Sequence, residues 1–244
     1  MSGDLAELLE RVDLCQMRSQ QIEANIDKLA STSIAHWTSN WQPHVGQITA
    51  KLLRHPSVAI RQEVGMLVNE LRSILDALAC KLATRNGANN TNSVYFPIMK
   101  NKAGFYDGLG RGKIKRLSNA DQQAIEDLKP WNPTDDDPED GNRILFQLHE
   151  ADRVRKHQDL LRWACLGGAR PAEWGTGGNL QINRVVFSEV GKEMTLANFF
   201  GVSVPLYVSF DVIYLTPDAL GGYSIAPLLS EFNDAVRRVV TGFF

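Results

Sequence analysis

The chain has 244 residues, of which 43% are hydrophobic and 22% charged, and its formal net charge is −2. This composition is that of a globular protein, and the length is sufficient for a full core without disulfides or structural metals. The near-neutral charge does not favour non-specific nucleic-acid binding by the whole surface, so any such binding requires a local basic patch.

Cysteine usage and the N-terminal segment indicate the compartment. Cys15, Cys80 and Cys165 are odd in number, widely spaced and without a CxxC pair, which excludes a zinc ribbon and a thioredoxin-type site. The segment MSGDLAELLERVD carries acidic residues and lacks an apolar core region, so we expect no signal peptide. No apolar run approaches the roughly 20 residues that span a bilayer. We therefore expect a cytoplasmic protein with reduced thiols and no membrane partner.

The first predicted helix covers residues 4–30. Its apolar positions recur at alternating spacings of three and four, which predicts a narrow seam that packs on one partner only. That partner is another helix of the chain or, alternatively, the same seam of a second copy in a homodimer. The seam consists of Leu5, Leu8, Val12, Cys15, Ser19, Ile22, Ile26 and Leu29.

A second predicted helix begins at Ser57 and ends at Asn86-Gly87, because glycine commonly terminates helices. Residues 31–57, which precede it, are less periodic and predict irregular structure or a strand. The apolar seam of the second helix matches the first in kind and length, so we expect the two helices to pair antiparallel. This seam consists of Val64, Val68, Leu71, Leu75, Leu78 and Leu82.

Residues 86–118 are rich in glycine and lysine and predict a long inserted loop, which is usually functional. This basic stretch could contact a phosphate backbone, or face the acidic run 135–140 that follows a short predicted helix over 118–128. Its GLGRGK sequence fails the P-loop pattern, because Asp107 and Ile114 stand where Gly and Ser or Thr are required. The basic residues are Lys100, Lys102, Arg111, Lys113, Lys115 and Arg116.

The last third of the chain changes in character. Residues 144–163 predict a helix, and the glycine-rich residues 167–179 predict a flexible connector. The segments INRVVFSEV and VSVPLYVSFDVIYL are rich in β-branched and aromatic residues and predict antiparallel strands joined by a turn near Gly191-Lys192. A final helix over 225–240 has one apolar face.

Together these elements predict an α+β fold. An antiparallel helical core occupies residues 1–166 and contains the inserted loop. A small antiparallel β-sheet and the C-terminal helix occupy residues 167–244. We expect both parts to pack as one compact unit.

The segment LHEADRVRKH, residues 148–157, concentrates the candidate chemistry. Helical spacing places Glu150 and His157 on one stripe, and a carboxylate that orients an imidazole is an arrangement used in general acid–base catalysis. The neighbouring stripe carries His149, Arg153 and Lys156. The alternative is an exposed helix face on which Arg153 contacts Glu150 and His157.

Arg72 and Asp76 lie four residues apart on the second helix, where an intrahelical ion pair is the simple interpretation. The alternative is that Asp76 orients a histidine of the LHEADRVRKH helix across a shallow cleft. His149 and Asp152 could reach one metal ion together, but Arg153 stands where the second histidine of HExxH is required. We therefore predict neither a metal nor a cofactor.

Four motifs in order resemble a widespread group of uncharacterised bacterial proteins over roughly residues 58–165. They are LRSILDALACKLA (71–83), FPI (96–98), IKRLSNADQQAIEDLKPW (114–131) and LHEADRVRKH (148–157). The resemblance implies no known activity, but it implies that one site is formed by Arg72, Asp76, His149, Glu150, Lys156 and His157. Ala77 stands where the group commonly has histidine, Glu70 where it has asparagine, and Arg155 where it has aspartate.

The Arg-x4-His spacing of that group is similar to the signature of HEPN ribonucleases, helical proteins that cleave RNA with paired Arg and His. In this chain Ala77 breaks the spacing, and Arg143 with His149 gives Arg-x5-His instead. The resemblance implies an HEPN-like helical bundle that acts on RNA or nucleotides. If the missing histidine is catalytic, a binding-only protein is implied.

The leading hypothesis is therefore an RNA- or nucleotide-acting protein, in its fullest form a metal-independent ribonuclease. Proton transfer falls to His149 or His157, with Glu150 and Asp76 as carboxylate partners. The residues that hold phosphate are Arg72, Arg153 and Lys156. The alternatives are a non-catalytic module that dimerises through residues 4–30, and a metal-dependent hydrolase.

Overall fold

The structure is a computed structural model that describes residues 3–31, 35–42, 45–54, 57–107, 109–157, 163–171, 179–183, 185–187, 190–200, 206–214 and 218–243. The chain divides into two compact units. The helical unit comprises Met1–Gln21, Gln62–Leu160 and Ala226–Phe244, and the β unit comprises Ile22–Arg61 and Leu161–Ile225. The predicted α+β fold class is confirmed.

The described ranges contain seven α-helices. They are α1 (Gly3–Ser31), α2 (Val58–Arg85), α3 (Lys102–Tyr106), α4 (Leu109–Ile114), α5 (Asn119–Asp127), α6 (Arg143–His157) and α7 (Ile225–Thr241). None of the helices in these ranges has the length and apolar character needed to cross a membrane.

Ion pairs within the helical unit show that α1 and α2 run antiparallel. Lys81 Nζ lies 2.7 Å from Asp4 Oδ1 and 2.8 Å from Glu7 Oε2, whereas Arg11 Nη2 lies 2.9 Å from Glu70 Oε1. Rising residue numbers on α1 therefore meet falling numbers on α2. The predicted antiparallel helix pair is confirmed.

The apolar seam of α1 is occupied within the chain. Leu8 and Val12 are fully buried, and Cys15 is nearly so. Full burial of an apolar side chain of this size stabilises a fold by about 1.5–3 kcal/mol. Since these side chains already lie in a core, the homodimer predicted through residues 4–30 gains no support.

The end of α2 is a Schellman motif, in which the last helical carbonyls accept bonds from the reversing chain. Ala88 N–H donates to Ala83 O at 3.0 Å, and Gly87 N–H donates to Thr84 O at 2.9 Å. Gly87 has a φ of 86°, the left-handed conformation that glycine adopts without steric cost. The predicted helix end at Asn86-Gly87 is confirmed.

Two short helices, α3 and α4, lie inside the segment that the sequence predicted as a loop. Asn101 begins α3, because its side chain accepts a 2.8 Å hydrogen bond from Gly104 N–H. Gly110 places α4 directly against α3, where a Cβ would lie 2.7 Å from the Cα of Phe105. Helices this short carry too few apolar repeats to be recognised from periodicity.

The β unit contains two antiparallel sheets, with strand orders β1-β2-β6-β4 and β5-β3-β7. The strands are β1 (Ala35–Gln42), β2 (Val45–Leu52), β3 (Trp163–Pro171), β4 (Asn179–Ile182), β5 (Val185–Phe187), β6 (Glu193–Phe200) and β7 (Leu206–Tyr214). A 3₁₀ turn at Asp218–Leu220 precedes α7.

Three sequence predictions were wrong in this part of the chain. Trp163, predicted as the end of a helix, begins β3, and residues 167–171 of the predicted connector belong to that strand. All nine residues of β3 pair with β7, so ladder hydrogen bonds outweigh the low strand propensity of its glycines. The segments INRVVFSEV and VSVPLYVSFDVIYL were predicted to pair with each other. Their strands β5 and β7 instead lie on either side of β3 and both pair with it.

The C-terminal helix follows its prediction closely. The apolar face predicted for residues 225–240 is buried in α7. Arg237 forms an ion pair with Asp13 of α1, so α7 packs beside α1 in the helical unit. Arg85 at the end of α2 donates to Phe243 O at 3.2 Å. These contacts build the helical unit from three separate parts of the chain.

Candidate functional site

A closed hydrogen-bonded ring joins α2 to the FPI segment. Arg72 Nη1 donates to Asp76 Oδ1 at 2.6 Å, and Arg72 Nη2 donates to Phe96 O at 2.8 Å. The same Asp76 oxygen accepts the backbone N–H of Phe96 at 2.9 Å. One turn of α2 thus forms hydrogen bonds with both the backbone N–H and the backbone C=O of Phe96. We call Arg72, Asp76 and Phe96 the clamp.

The clamp contains a buried charge, because the Arg72 side chain is only 7% exposed. Removing a guanidinium from water costs several kcal/mol, which a close carboxylate and a second acceptor offset. The clamp bonds use two of the five N–H donors of Arg72. The remaining donors give this buried cation the capacity to bind a further acceptor.

Met99, the residue directly after the FPI segment, is hydrogen-bonded to residues 130 and 132. Met99 N–H donates to Pro130 O at 2.8 Å, and Asn132 N–H donates to Met99 O at 3.1 Å. Trp131 lies between these partners, is nearly fully buried, and donates from Nε1 to Asp140 O at 2.8 Å. Through Met99, the FPI segment and the KPW segment therefore form one hydrogen-bonded backbone layer in the helical unit.

Lys113 on α4 is the second cation of the site. Burial, and after it the positive charge of Arg72, lower the pKa of Lys113 below its ordinary value, whereas Asp76 opposes the decrease. Its Nζ lies 3.9 Å from Met99 Sδ, which places the amine beside the hydrogen-bonded layer. Lys113 is therefore close enough to Arg72 for the two charges to repel.

His149 on α6 is the third member. Burial lowers the pKa of His149 to about 4, and the charges of Arg72 and Lys113 contribute to the decrease, against Glu150 and Asp152. At neutral pH the imidazole is therefore uncharged, with one nitrogen as donor and the other as acceptor.

We call Arg72, Lys113 and His149 the anion cluster. After burial, the charge of Arg72 contributes to the lowered pKa values of both Lys113 and His149, and the charge of Lys113 contributes to that of His149. Mutual repulsion disfavours the protonated forms of Lys113 and His149, and a bound anion would reverse this effect. Such a site has the chemistry of a phosphate or carboxylate receptor whose binding is coupled to proton uptake.

The other predicted site residues of α6 form pairs within their own helix. Arg153 Nη2 lies 2.7 Å from Glu150 Oε2, and the Arg153 side chain is 45% exposed. Lys156 Nζ lies 2.6 Å from the buried Asp152 Oδ2. The predicted Glu150–Arg153 contact is thus present, and neither cation is brought to the clamp by these bonds. The side chain of His157 lies outside the described residues.

The predicted intrahelical ion pair between Arg72 and Asp76 is confirmed, and the alternative role of Asp76 in orienting a histidine stays a prediction. In the described contacts its Oδ1 holds Arg72 and the backbone of Phe96. Among the described residues, no group of three or more His, Cys, Asp or Glu side chains could hold a metal ion.

One of the two roles that the sequence left open for the basic segment is observed. Lys102 Nζ lies 3.0 Å from Asp140 Oδ2, which is the predicted pairing with the acidic run. Arg111 forms an ion pair with Glu126 on α5 at 2.5 Å. Lys113 alone of these three contributes to the anion cluster. Its proximity to Arg72 depends on the unrecognised fold of α3 and α4, so no sequence signal separated it from its basic neighbours.

No protein-family model, curated protein or solved structure matches this chain. The resemblance to the bacterial group and to HEPN ribonucleases therefore stays a prediction.

Proposed function

We propose that this protein acts on RNA or nucleotides through the anion cluster. In this proposal Arg72 and Lys113 bind a phosphate group, and His149 exchanges a proton with the ligand. The observation that carries the proposal is the buried Arg72, of which the clamp uses two of five N–H donors and whose charge adds to burial in lowering the pKa values of Lys113 and His149. The resemblance to HEPN ribonucleases supports RNA as the ligand.

In its fullest form the proposal is metal-independent cleavage of RNA. His149 accepts the proton of a 2′-hydroxyl, and the 2′-oxygen then forms a bond to phosphorus. The bond from phosphorus to the 5′-oxygen breaks, and Lys113, whose lowered pKa makes it a better acid, donates a proton to that oxygen. Arg72 stabilises the charge of the phosphorane. The products are a 2′,3′-cyclic phosphate and a 5′-hydroxyl.

Binding without cleavage is the second candidate, and two observations favour it. A pKa of about 4 makes His149 a weak base at neutral pH unless the bound phosphate raises that value. Ala77 also occupies the position at which the resembling group has histidine. In this form the cluster holds a phosphate and transfers no proton to or from a reacting oxygen.

The test measures binding and cleavage of a fluorescent single-stranded RNA in the presence of a chelator. We compare the wild type with His149→Gln, His157→Ala and Lys113→Gln, and use the exposed neighbour Lys115→Gln as a charge-matched control. We expect Lys113→Gln to weaken binding by about tenfold and Lys115→Gln to weaken it much less, because only the former removes a half-buried charge.

The outcomes separate the two forms of the proposal. Cleavage by the wild type that His149→Gln abolishes supports the ribonuclease. Binding without cleavage, sensitive to Lys113 but not to Lys115, supports the second candidate. Absence of both binding and cleavage, or an equal effect of the two lysine substitutions, contradicts the proposal.

A further inference from the structure

An open cavity of about 300 Å³ lies where the chain reverses after α2. This volume is at the lower end of the range for small-molecule sites, so a single ring system suits it better than a large cofactor. The Schellman reversal and the asparagine-rich sequence that follows it form its wall. The lining residues are Asn86, Gly87, Ala88, Asn89, Asn90 and Arg116.

Arg116 is the one charged residue among those that line the cavity, and it is held in place. Its Nη1 donates to Asn90 O at 2.9 Å and to Asn92 O at 3.1 Å, and also to Asn90 Oδ1. Since all three bonds use Nη1, they leave the donors at Nη2 and Nε for a ligand. A planar guanidinium held in this way is also a surface on which a ring can stack.

The asparagines supply both kinds of hydrogen-bonding group. Asn86 Nδ2 donates to Arg116 O at 3.0 Å, which leaves the Asn86 side-chain oxygen as an acceptor. Asn90 uses its side-chain oxygen on Arg116, which leaves its amide N–H groups as donors. Asn89 is exposed, and its side chain makes none of the described hydrogen bonds. Mixed donors and acceptors of this kind match the edge of a nucleobase.

Two short stretches of chain connect this cavity to the anion cluster. Asn90 and Asn92 hold Arg116, and the same stretch continues to Phe96 in the clamp. On the other side, Lys113 of the cluster precedes Arg116 by three residues, so their Cα atoms lie within about 11 Å of each other. A single oligonucleotide can therefore reach both places within the helical unit.

We propose that the cavity beside Arg116 is a nucleobase subsite for a single-stranded nucleic acid whose phosphate lies in the anion cluster. The base stacks on the Arg116 guanidinium, and its edge exchanges hydrogen bonds with the asparagine amides. This inference depends on the proposed function, because the cluster supplies the phosphate contact. It adds the ligand class: a strand read through its bases, not a free phosphate.

The test compares a labelled RNA of about five nucleotides with an abasic strand of the same length, by fluorescence anisotropy at fixed salt. A DNA strand of the same base sequence is the third probe. The variants are Asn89→Ala, which removes a side chain without described bonds, and Arg116→Gln. Lys115→Gln serves as the adjacent charge-matched control. Thermal unfolding of each variant reports whether the reversal remains folded.

We expect the RNA with bases to bind about tenfold more tightly than the abasic strand, since stacking of one base contributes at this level. In Asn89→Ala and Arg116→Gln this advantage decreases several-fold, while abasic binding by Asn89→Ala stays at the wild-type level. Base-dependent binding of the DNA strand supports the same subsite, because the contact is to the base.

Equal affinity for strands with and without bases overturns the subsite but leaves the anion cluster supported by the abasic binding. An undiminished base advantage in Asn89→Ala, with the protein folded, also overturns it. If neither strand binds, the proposed function fails together with this inference.

Discussion

Arg72 is the residue on which both the packing of the helical unit and the proposed site depend. It is buried and hydrogen-bonded to Asp76 and Phe96 O, and its charge lowers the pKa values of Lys113 and His149. A substitution at Arg72 therefore changes stability and ligand binding together. Two of its neighbours are better probes, because Asp76 tests mainly the clamp and Lys113 tests mainly ligand binding.

Asp76→Ala tests the clamp. The variant leaves the buried guanidinium without its carboxylate and the Phe96 N–H without its acceptor. Loss of one partner of a buried pair costs about 3–5 kcal/mol, and we expect the lower end because the Asp76 side chain is 29% exposed. The measurement is the free energy of unfolding in urea.

The control for this substitution is Arg153→Ala, which breaks an ion pair on α6 whose arginine is 45% exposed. Exposed pairs contribute about 0–1 kcal/mol, so we expect a much smaller loss. Similar losses in the two variants would show that the clamp is not a buried pair of special importance.

His149 gives a pH dependence of stability with a defined sign. Its pKa is about 4 in the folded protein against an ordinary value of 6.5. Between these values the unfolded chain binds more protons at this residue, so stability increases with pH and is lost as the pH falls toward 4. The full depression corresponds to about 3 kcal/mol at most.

The His149→Gln variant should lack this contribution. Urea unfolding at about pH 4.5 and about pH 7 measures the difference in stability for the wild type and the variant. We expect a smaller difference in the variant. Parallel pH profiles would show that His149 titrates normally in the folded state.

At the scale of single elements, α4 is the part that brings Lys113 to the cluster. Gly110 allows this because a Cβ there would lie 2.7 Å from the backbone of Phe105 and 2.9 Å from its ring. Gly110→Ala should therefore displace α4 and weaken phosphate binding by several-fold. Titration with pyrophosphate measures the effect.

Gly112→Ala is the matched control on the same helix, since a Cβ at this position meets nothing within 4 Å. Alanine also favours a helix over glycine by about 1 kcal/mol, so this variant should be as stable as the wild type or more so. If both alanine variants bind pyrophosphate equally well, the close packing of α4 is not what positions Lys113.

The long helices could be predicted from the sequence, whereas strand β3 could not. Long helices such as α1, α2 and α7 carry several turns of apolar periodicity, and their bounds were predicted to within about two residues. β3 was missed because its glycines have low strand propensity, and only pairing with β7 identifies it.

The candidate site was predictable in part for the same reason. Arg72 and His149 lie on periodic helices within recognisable motifs, so the sequence identified both as candidate site residues. Lys113 lies on a helix of six residues whose position depends on a tight contact with Phe105. The backbone role of Phe96 in the clamp was equally hidden, because it involves main-chain atoms that any residue would supply.

At the scale of the whole molecule, the burial of the α1 seam indicates that its apolar side chains stabilise the fold and do not form a contact between two copies of the chain. Leu8 is fully buried, so Leu8→Lys places an ammonium group in the core. We expect a loss of more than about 3 kcal/mol in the free energy of unfolding, by urea titration. Met17→Lys, at a position 66% exposed on the same helix, should be nearly neutral.

Light scattering of the same proteins tests the homodimer that the sequence left open. A seam used between copies would make the wild type dimeric and a folded Leu8→Lys variant monomeric. A wild type that is dimeric and loses its partner in this way would contradict the intramolecular role of the seam.

Titration of His149 by NMR shows whether Arg72, Lys113 and His149 act together as an anion receptor. The imidazole pKa is measured with and without pyrophosphate, in the wild type and in Lys113→Gln. We predict a pKa of about 4 without the anion, a clear rise when pyrophosphate binds, and a smaller rise in the variant. A pKa near the ordinary 6.5 that pyrophosphate does not change would contradict the account.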